Sequence, residues 1–281
     1  MNAARGAGIT RAMLAQSPPV ELRLQVESAC NGVSGLDWQP LQGGRTNRLW
    51  RVGSLVVKLY IHGAHSPLFP NDPQAEAAAL RLAAPFDLAP ELRLTGSNWL
   101  AYTYAEGQPW KGGDPAPVAS TLAAVHALPC SEFRHTGSGS AALIAQTFAI
   151  ASQCQGCLPA PPADPGVAPT VPRVIHGDAV AGNILVTGQK LTLIDWQCPA
   201  MGDPAEDLAA FLSPAMQWLY RGAPLSDDQE AAFLAGYRDQ ETVVRFQKLK
   251  PIFRWRMAAH CLWRAERGNA GYAAAIALEL G

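Results

Sequence analysis

Apolar and polar residues alternate in short runs over the first hundred positions, which is the pattern of half-buried β-strands. Segments 35–41 and 47–60 are rich in branched and aromatic residues, and Gly53-Ser54 divides the second segment at a predicted hairpin turn. Segments 91–97 and 98–107 predict two more strands, joined at a glycine-serine pair. We therefore expect a small antiparallel sheet in the first part of the chain.

A helix is predicted after the first strands. Asp72 is a good N-cap, Pro73 suits the first helical position, and the alanines and leucines that follow favour helix. We expect this helix to lie on the sheet. Residues 1–16 contain no continuous apolar run typical of export signals, and predict a frayed end or a short helix.

The period of the pattern changes to that of helices from about residue 115. The predicted helices cover 117–128, 140–153, 203–220, 226–240, where Ser226 and Gln229 form a capping box, and 252–267. Between the second and third, segment 158–172 holds six prolines and is therefore expected to be irregular. The whole predicts an α+β protein with two lobes, a β-rich lobe over 1–104 and a helical lobe over 105–281.

Composition excludes some classes of function. Of 281 residues 48% are apolar and 16% charged, and the net charge of -1 comes without a basic stripe for nucleic acid. No window approaches 18 consecutive apolar residues, so we expect no membrane span and a cytoplasmic location. Of six cysteines only Cys154 and Cys157 form C-x-x-C. A zinc or redox pair is the alternative there to the favoured interpretation, reduced thiols.

The stretch VIHGDAVAGNILVTGQKLTLIDWQ contains two apolar runs with polar residues of catalytic type next to them. His176, Asp178 and Asn183 precede the first run, and Asp195 ends the second. A turn over 187–190 would fold the runs into a hairpin and bring Asp195 back toward Asn183. Taken singly, these residues would more often be turn residues or a strand-end cap.

Together they suit phosphoryl transfer, which is mostly positioning and charge stabilisation. Magnesium prefers carboxylate and amide oxygens, and Asp178, Asn183 and Asp195 would supply them. The interval of five residues from Asp178 to Asn183 is also that of the protein-kinase catalytic loop.

Three features upstream point the same way. Gly43 and Gly44 form a turn whose backbone could approach phosphates, although a plain hairpin turn is the simpler interpretation. Lys58 is either an exposed strand residue or an inward phosphate ligand. Glu76, in the first turn of the predicted helix, is either solvated or the partner of Lys58.

With these motifs the chain resembles the aminoglycoside phosphotransferase and choline kinase family, whose fold is protein-kinase-like. HGDAVAGNIL is similar to the family's H-G-D-x-x-x-x-N motif, and LIDWQCPAMGDPAEDLA to its I-D-W/F-E-x-x-x-x-G-D-P-x-x-D-L-A motif. GGRTNRLWRV resembles the glycine turn of the choline- and thiamine-kinase-like branch. The resemblance covers roughly residues 38–265.

The resemblance implies ATP and Mg²⁺ as cofactors and a role for each matching residue. Asp178 is implied as catalytic base, Asn183 and Asp195 as magnesium ligands, Lys58 with Glu76 as the phosphate-binding pair, Tyr102 to Ala105 (including Tyr104) as the adenine hinge, and His176 and Asp207 as structural supports. Two departures stand out. Gln197 replaces an acidic residue of the family pattern, and the loop 179–182 is small and apolar.

The acceptor is expected to be a small molecule with a hydroxyl. Gly177 replaces the arginine of the protein-kinase H-R-D motif, and no A-P-E motif follows Asp195. Tryptophan faces attract ammonium groups, so Trp196, Trp218, Trp255 and Trp263, with Gln197 beside them, suggest a choline- or thiamine-like acceptor.

Other interpretations of these residues stay open. The tryptophans could simply be core. Asp203, Glu206 and Asp207 accompany the tryptophans in this lobe. An aminoglycoside or sugar is the alternative acceptor. Asp227, Asp228 and Glu230 could contribute to a site for a polycation, but at a helix N-terminus they are more simply partners of the helix dipole. A catalytically silent, nucleotide-binding kinase fold is the alternative of another class.

Overall fold

A five-stranded antiparallel sheet forms the N-terminal lobe. The structure, a computed structural model, describes residues 17–41, 46–129 and 132–281; the predictions for 1–16 and for Gly43 and Gly44 lie outside these residues. The strands are β1 (Trp38–Pro40), β2 (Arg48–Val52), β3 (Leu55–Leu59), β4 (Leu92–Thr95) and β5 (Trp99–Thr103), in the spatial order β1-β2-β3-β5-β4. The predicted sheet is confirmed, with its hairpin turn at Gly53-Ser54.

Helices cover both faces of this sheet. The helix that the sequence predicts is α2 (Pro73–Ala83), and the Asp72 carboxylate accepts hydrogen bonds from the N–H groups of its first turn. The other helix, α1 (Val20–Ala29), was not predicted. Its Leu22 and Val26 pack on the opposite face in one apolar cluster with Trp50 and Trp99. The expectation of a single helix on the sheet is therefore wrong.

The C-terminal lobe is mainly helical, as predicted. Its helices are α3 (Ala116–His126), α4 (Ser140–Ala151), α5 (Ala205–Leu212), α6 (Pro214–Arg221), α7 (Asp227–Gly236), α8 (Gln240–Ala265) and α9 (Ala270–Leu280). The predicted helix 203–220 is two helices, because Ser213 leaves helical geometry and caps α6 before Pro214. Helix α8 begins twelve residues before the predicted start and includes Pro251, and α9 was not predicted.

Short strands place the loops of the C-terminal lobe. They are β6 (Gln108–Pro109), β7 (Arg173–Ile175), β8 (Ile184–Thr187), β9 (Lys190–Leu193) and β10 (Ala200–Gly202). The hairpin β8–β9 is the predicted one, with β6 paired along β8. Strand β7 pairs with β10, so both ends of the stretch that carries the candidate residues are held in sheets. Segment 158–172 is irregular, as its prolines predict.

Candidate active site

The loop after β7 carries His176, Gly177 and Asp178. Gly177 has φ +76°, and a Cβ at this position would lie 2.1 Å from the carbonyl oxygen of Cys198. Side chains have no room there, and the left-handed conformation favours glycine as well. The glycine that replaces the arginine of H-R-D is thus a requirement of the close approach of two backbone segments.

Asp207, in the first turn of α5, holds this loop through hydrogen bonds to its backbone. Its carboxylate accepts hydrogen bonds from the backbone N–H groups of His176, at 2.7 Å, and Gly177, at 2.8 Å. His126 Nε2 lies 3.0 Å from the same carboxylate, and its Nδ1 lies 2.6 Å from the hydroxyl of Tyr237. Burial alone would raise the pKa of Asp207, but these partners hold it below the usual value.

His176 joins the loop to the end of β9. Its Nε2 lies 3.1 Å from the carbonyl oxygen of Ile194, and its Nδ1 accepts from the N–H of Asp178 at 3.2 Å. This pattern needs the neutral tautomer protonated at Nε2, and burial lowers the pKa of His176 in agreement. The ring packs on Trp196, with centroids 4.5 Å apart. His176 therefore fixes where the Asp178 backbone lies.

Asp178 is half-buried and has few protein partners among the described residues. Asn183, at the end of a short 3₁₀ turn, donates through Nδ2 to the Asp178 carbonyl at 2.9 Å and to its carboxylate at 3.1 Å. Burial, and then the charge of Asp195, raise the pKa of Asp178 to about 7. A carboxylate with a pKa near neutrality suits a group that takes up and releases a proton.

Lys58 links the two lobes through two carboxylates. On β3 it shares the inward face with Val56 and Tyr60, and it is 1% exposed. Its Nζ lies 2.5 Å from Glu76 Oε2 and 2.5 Å from Asp195 Oδ1, and the hydroxyl of Tyr60 also bonds to Glu76. Burial would lower the pKa of Lys58, but the Asp195 and Glu76 charges hold it above its usual range. Of the alternatives left open, Lys58 is inward and Glu76 is its buried partner.

The end of the β8–β9 hairpin brings Asn183 and Asp195 to one place. The N–H of Ile194 donates to the Asn183 carbonyl at 2.9 Å. Asn183, directly before β8, and Ile194, directly after β9, are therefore neighbours. Asp195 follows in a left-handed conformation, φ +63°, that is uncommon outside glycine. Such a conformation persists where the surroundings over-determine it, as at functional sites.

The donor set fits Mg²⁺. Asn183 uses its NH₂ group on Asp178, which leaves the amide oxygen for another partner. The second oxygen of Asp195 has no protein partner among the described residues. Within the same described ranges, no three His, Cys, Asp or Glu residues form a group that could hold a metal ion. A site of two hard protein oxygens, completed by phosphate and water, is the arrangement that Mg²⁺ tolerates.

The predicted hinge follows β5. Tyr102 is buried on the strand opposite Val56. The N–H of Tyr104 donates to the Ser54 carbonyl at 2.7 Å, and its ring lies under the Arg51 guanidinium. The N–H of Ala105 has no acceptor in the described part of the chain, so Ala105 offers a backbone donor to a ligand at this edge.

Comparison with known proteins gives the family. The chain matches the phosphotransferase enzyme family (APH) over residues 37–247, which is most of its length. The chain belongs to this family. No curated protein sequence matches this phosphotransferase significantly.

Solved structures show the same fold. A choline/ethanolamine kinase family protein from Mesorhizobium loti is 19% identical, with a TM-score of 0.66 over 92% of this chain and 94% of that one. The choline kinase LicA from Streptococcus pneumoniae is 19% identical, with a TM-score of 0.61 over 92% and 98%. The ADP-bound aminoglycoside phosphotransferase APH(2'')-Ib is 13% identical, with a TM-score of 0.64 over 93% and 98%. The phosphotransferase thus has the protein-kinase-like fold that its motifs predict.

A cavity beside Asp178 lies between the loop after β3 and the helices of the C-terminal lobe. Its volume is about 40 Å³, and it is partly open to solvent, so the reacting end of a small alcohol fits inside while the rest of the molecule can project outward. Asp178 and Gln197 line it with Thr46, Ala64, Ser66, Phe69, Met216, Tyr220, His260, Arg264 and Tyr272. Sequence analysis missed His260 and Arg264. Their spacing of four residues on a helix was visible in the sequence, but the sequence did not tell which face of the helix lines a cavity.

None of the tryptophans of the predicted acceptor pocket lines this cavity. Trp196 is fully buried and donates to the Leu193 carbonyl. Trp255 donates to the Pro159 carbonyl and packs edge-on against Phe148. Trp218 packs at the edge of the apolar cluster around Met216, and Trp263 donates to Gln153. The interpretation of these residues as core is the better one.

Gln197 does line the cavity, and it also joins the lobes. Its Oε1 accepts from Asn47 Nδ2 at 2.8 Å, and Asn47 in turn bonds with Asn71. An acidic residue at this position would bring a charge; Gln197 supplies a neutral acceptor that is already used. The departure from the family motif therefore removes a negative charge from the acceptor side of the site.

Most of the acidic residues considered for the acceptor already have partners. Asp203 pairs with Arg245 at 2.6 Å, Glu206 with Arg256 at 3.0 Å and Glu230 with Lys250 at 2.5 Å. Asp207 is bound to the catalytic loop, and Asp227 and Asp228 lie exposed in the first turn of α7, which begins at the predicted capping box. No cluster of free carboxylates faces Asp178 among the described residues.

Two other expectations concern sites elsewhere. Cys154 and Cys157 are free thiols, and Cys154 Sγ lies 3.6 Å from the Ile150 carbonyl, within its own helix end. In the ranges that the structure describes, no helix has the length and apolar character needed to span a membrane.

Proposed function

We propose that this protein is an ATP- and Mg²⁺-dependent phosphotransferase that moves the γ-phosphoryl group to a hydroxyl of a small molecule. The observation that carries the proposal is the convergence of Lys58, Glu76, Asp178, Asn183 and Asp195 in one cleft between the lobes. Each has the chemistry that its position needs, and the pairs are within hydrogen-bond distance. The complete set also argues against a silent kinase fold.

Each residue has a distinct task in the proposed reaction. Asp178 accepts the proton of the acceptor hydroxyl, for which a pKa of about 7 is suitable. Lys58, kept charged and oriented by Glu76, binds phosphate oxygens of the nucleotide. His176 and Asp207 are positioning residues, since they act on Asp178 through the loop backbone.

The cofactor would be held by residues from both lobes. Asn183 and Asp195 would hold Mg²⁺, which when bound neutralises charge on the phosphates. Asp195 would exchange its contact with Lys58 for the metal and the phosphates, at a position that is 30% exposed. The backbone donor of Ala105 would bind the adenine edge. The cytoplasmic location stays a prediction.

The acceptor class expected from the sequence, a choline- or thiamine-like amino alcohol, loses its support at Trp196, Trp218 and Trp255. The aromatic rings that do line the cavity belong to Phe69, Tyr220 and Tyr272, and the cavity also contains an arginine. For a polycationic aminoglycoside the free carboxylates are lacking among the described lining residues. We therefore propose no narrower class of acceptor here than a small alcohol.

The test is transfer itself. Purified protein is incubated with Mg·ATP and a panel of alcohols, including choline, ethanolamine, sugars, amino sugars and hydroxy acids, and both ADP and the phosphorylated product are measured. We expect one class of alcohol to give equal amounts of ADP and phosphate ester. Nucleotide binding without any phosphate ester across the panel would overturn the proposal. The exposed Asp228→Asn variant serves as a matched control that should keep full activity.

A further inference from the structure

The cavity beside Asp178 carries a fixed positive charge. Arg264, on α8, lines it, and among the described lining residues Arg264 and Asp178 are the only charged side chains. Arginine stays protonated at every physiological pH. An ammonium group that enters this cavity therefore meets a like charge, which opposes binding.

Arg264 is also short of partners. Its Nε is buried and has no hydrogen-bond partner in the described part of the chain. The guanidinium lies over the ring of Tyr272, 5.3 Å from the centroid, which orients it without using its N–H donors. Buried donors are rarely left unpaired in folded proteins. A ligand acceptor group would complete this one.

His260 adds a second unpartnered atom on the same wall. It precedes Arg264 by four residues on α8, so the two side chains lie on one face of the helix. His260 is 2% exposed, and its Nδ1 has no hydrogen-bond partner among the described residues. Its ring is held edge-on between Phe69, with centroids 4.8 Å apart, and Tyr272, at 5.7 Å. Burial, with the Arg264 charge, lowers its pKa to about 3, so its imidazole is neutral.

We propose that the phosphoryl acceptor is a hydroxy acid, whose carboxylate binds Arg264 and His260 while its hydroxyl lies at Asp178. The guanidinium offers a planar pair of donors that matches a carboxylate. Gln197, neutral where the family motif has an acid, adds no further negative charge to this cavity beside that of Asp178. This inference rests on the proposed phosphotransferase activity and assigns its acceptor class.

The test compares alcohols that differ in the acid group. Glycerate is measured against glycerol, gluconate against sorbitol, and choline and ethanolamine represent cations, each with Mg·ATP and detection of the phosphate ester. Wild-type protein should have a higher kcat/KM for the acid of each pair. Preference for the neutral or cationic alcohols would overturn the inference and leave the proposed function standing.

Variants of Arg264 sharpen the comparison. Arg264→Gln should lower kcat/KM for the acids about 10- to 100-fold, mainly through KM, because the lost contact is a charge-assisted bond to a part of the substrate that does not react. It should leave the neutral alcohols almost unaffected, and Arg264→Glu should shift preference toward ethanolamine and choline. Arg267→Gln is the matched control, since Arg267 is exposed and bonds to Trp263 and Gln153 instead. An equal effect on all acceptors would show a structural role and overturn the inference.

Binding gives a readout that does not need turnover. With ADP and Mg²⁺ present, gluconate or glycerate should raise the Tm of the wild type and of Arg267→Gln, but not of Arg264→Gln. Unfolding of the variants without ligand checks that they fold. If no alcohol is phosphorylated, the proposed function fails; a Tm rise that depends on Arg264 would then still support recognition of the acid. No Tm rise with either acid would overturn the inference.

Discussion

The loop after β7 is held by one carboxylate, the buried Asp207, and contains another, the half-buried Asp178, and the surroundings of the two differ. Asp207 accepts from two backbone N–H groups and contacts His126, and its pKa lies below the usual value. Among the described residues Asp178 accepts only from Asn183, it faces the charge of Asp195, and its pKa is raised to about 7. The first carboxylate is completed by the protein; the second is left for a ligand to complete. In the proposed function Asp207 therefore has a structural role and Asp178 a chemical one.

Asp195, like Asp178, has a carboxylate with few protein partners among the described residues, and its backbone conformation is unusual as well. A left-handed residue other than glycine costs on the order of 1 kcal/mol, and Asp195 has φ +63°. Its carboxylate bonds to Lys58 with one oxygen only. Proteins break local rules of this kind mainly at functional sites. The contrast between Asp207 and Asp178 therefore predicts opposite effects on stability when the charge of one or the other is removed.

Removing the charge of Asp207 should produce the largest loss of stability. Asp207→Asn removes the charge that three donors face and points an NH₂ group at one of them. We expect the free energy of unfolding to fall by about 3 kcal/mol. Urea unfolding measures it, and Asp228→Asn, a change on the exposed surface of α7, should stay within about 0.5 kcal/mol of wild type. Equal midpoints for Asp207→Asn and wild type would contradict the anchoring role.

A third carboxylate sharpens the comparison, because a raised pKa alone does not make a catalytic group. Glu279 on α9 is buried and accepts from Ser213 and from the N–H of Ala215, its other oxygen lies 3.6 Å from Arg254 Nε, and burial raises its pKa to about 7. Between pH 4.5 and 7 the folded protein binds more protons at Glu279 than the unfolded chain does. Its contribution to stability therefore falls as pH rises through this window.

Glu279→Gln should remove that dependence. Relative to wild type, the variant should gain stability between pH 5 and pH 8, by on the order of 2 kcal/mol. Urea unfolding of both proteins at both pH values isolates the effect, because all other groups titrate alike. Parallel losses in the two proteins would show that Glu279 is ionised at its ordinary pKa. Turnover should not change, since Glu279 does not line the cavity at Asp178.

The smallest effect is expected at Trp255. Trp255→Phe keeps an aromatic ring against Phe148 and loses the bond to the Pro159 carbonyl. Because Trp255 does not line the acceptor cavity, kcat/KM should be unchanged for every acceptor, including choline. Steady-state rates across the acceptor panel check this. A selective loss with cationic alcohols would restore the tryptophan pocket that the sequence suggested.

Local features of the site could be predicted from the sequence. The β8–β9 hairpin follows from two apolar runs and a four-residue turn, and it alone brings Asn183 near Asp195. The caps at Asp72 and Ser226 also depend only on residues two or three positions away. Such features are predictable because the chain closes them over a short distance.

Longer-range and buried relations were not predictable in the same way. Helix α8 was expected to start after Pro251, but loss of one N–H donor does not end a helix that packs on α4 and α9. His126, the partner of Asp207, comes from α3, and Tyr237, the partner of His126, directly follows α7. Helical periodicity identifies a buried face, but it does not tell whether that face lines the core, as for Trp255, or a cavity, as for Arg264.

The most direct test of the central claim is Asp178→Asn, measured for turnover and stability in one preparation. The amide keeps the shape of the side chain but cannot accept the hydroxyl proton. We predict that turnover falls about 10²-fold or more, that ATP affinity is largely kept, and that the free energy of unfolding at pH 8 is equal to that of wild type or higher, because a desolvated charge facing Asp195 is gone. Full turnover in Asp178→Asn would contradict the account.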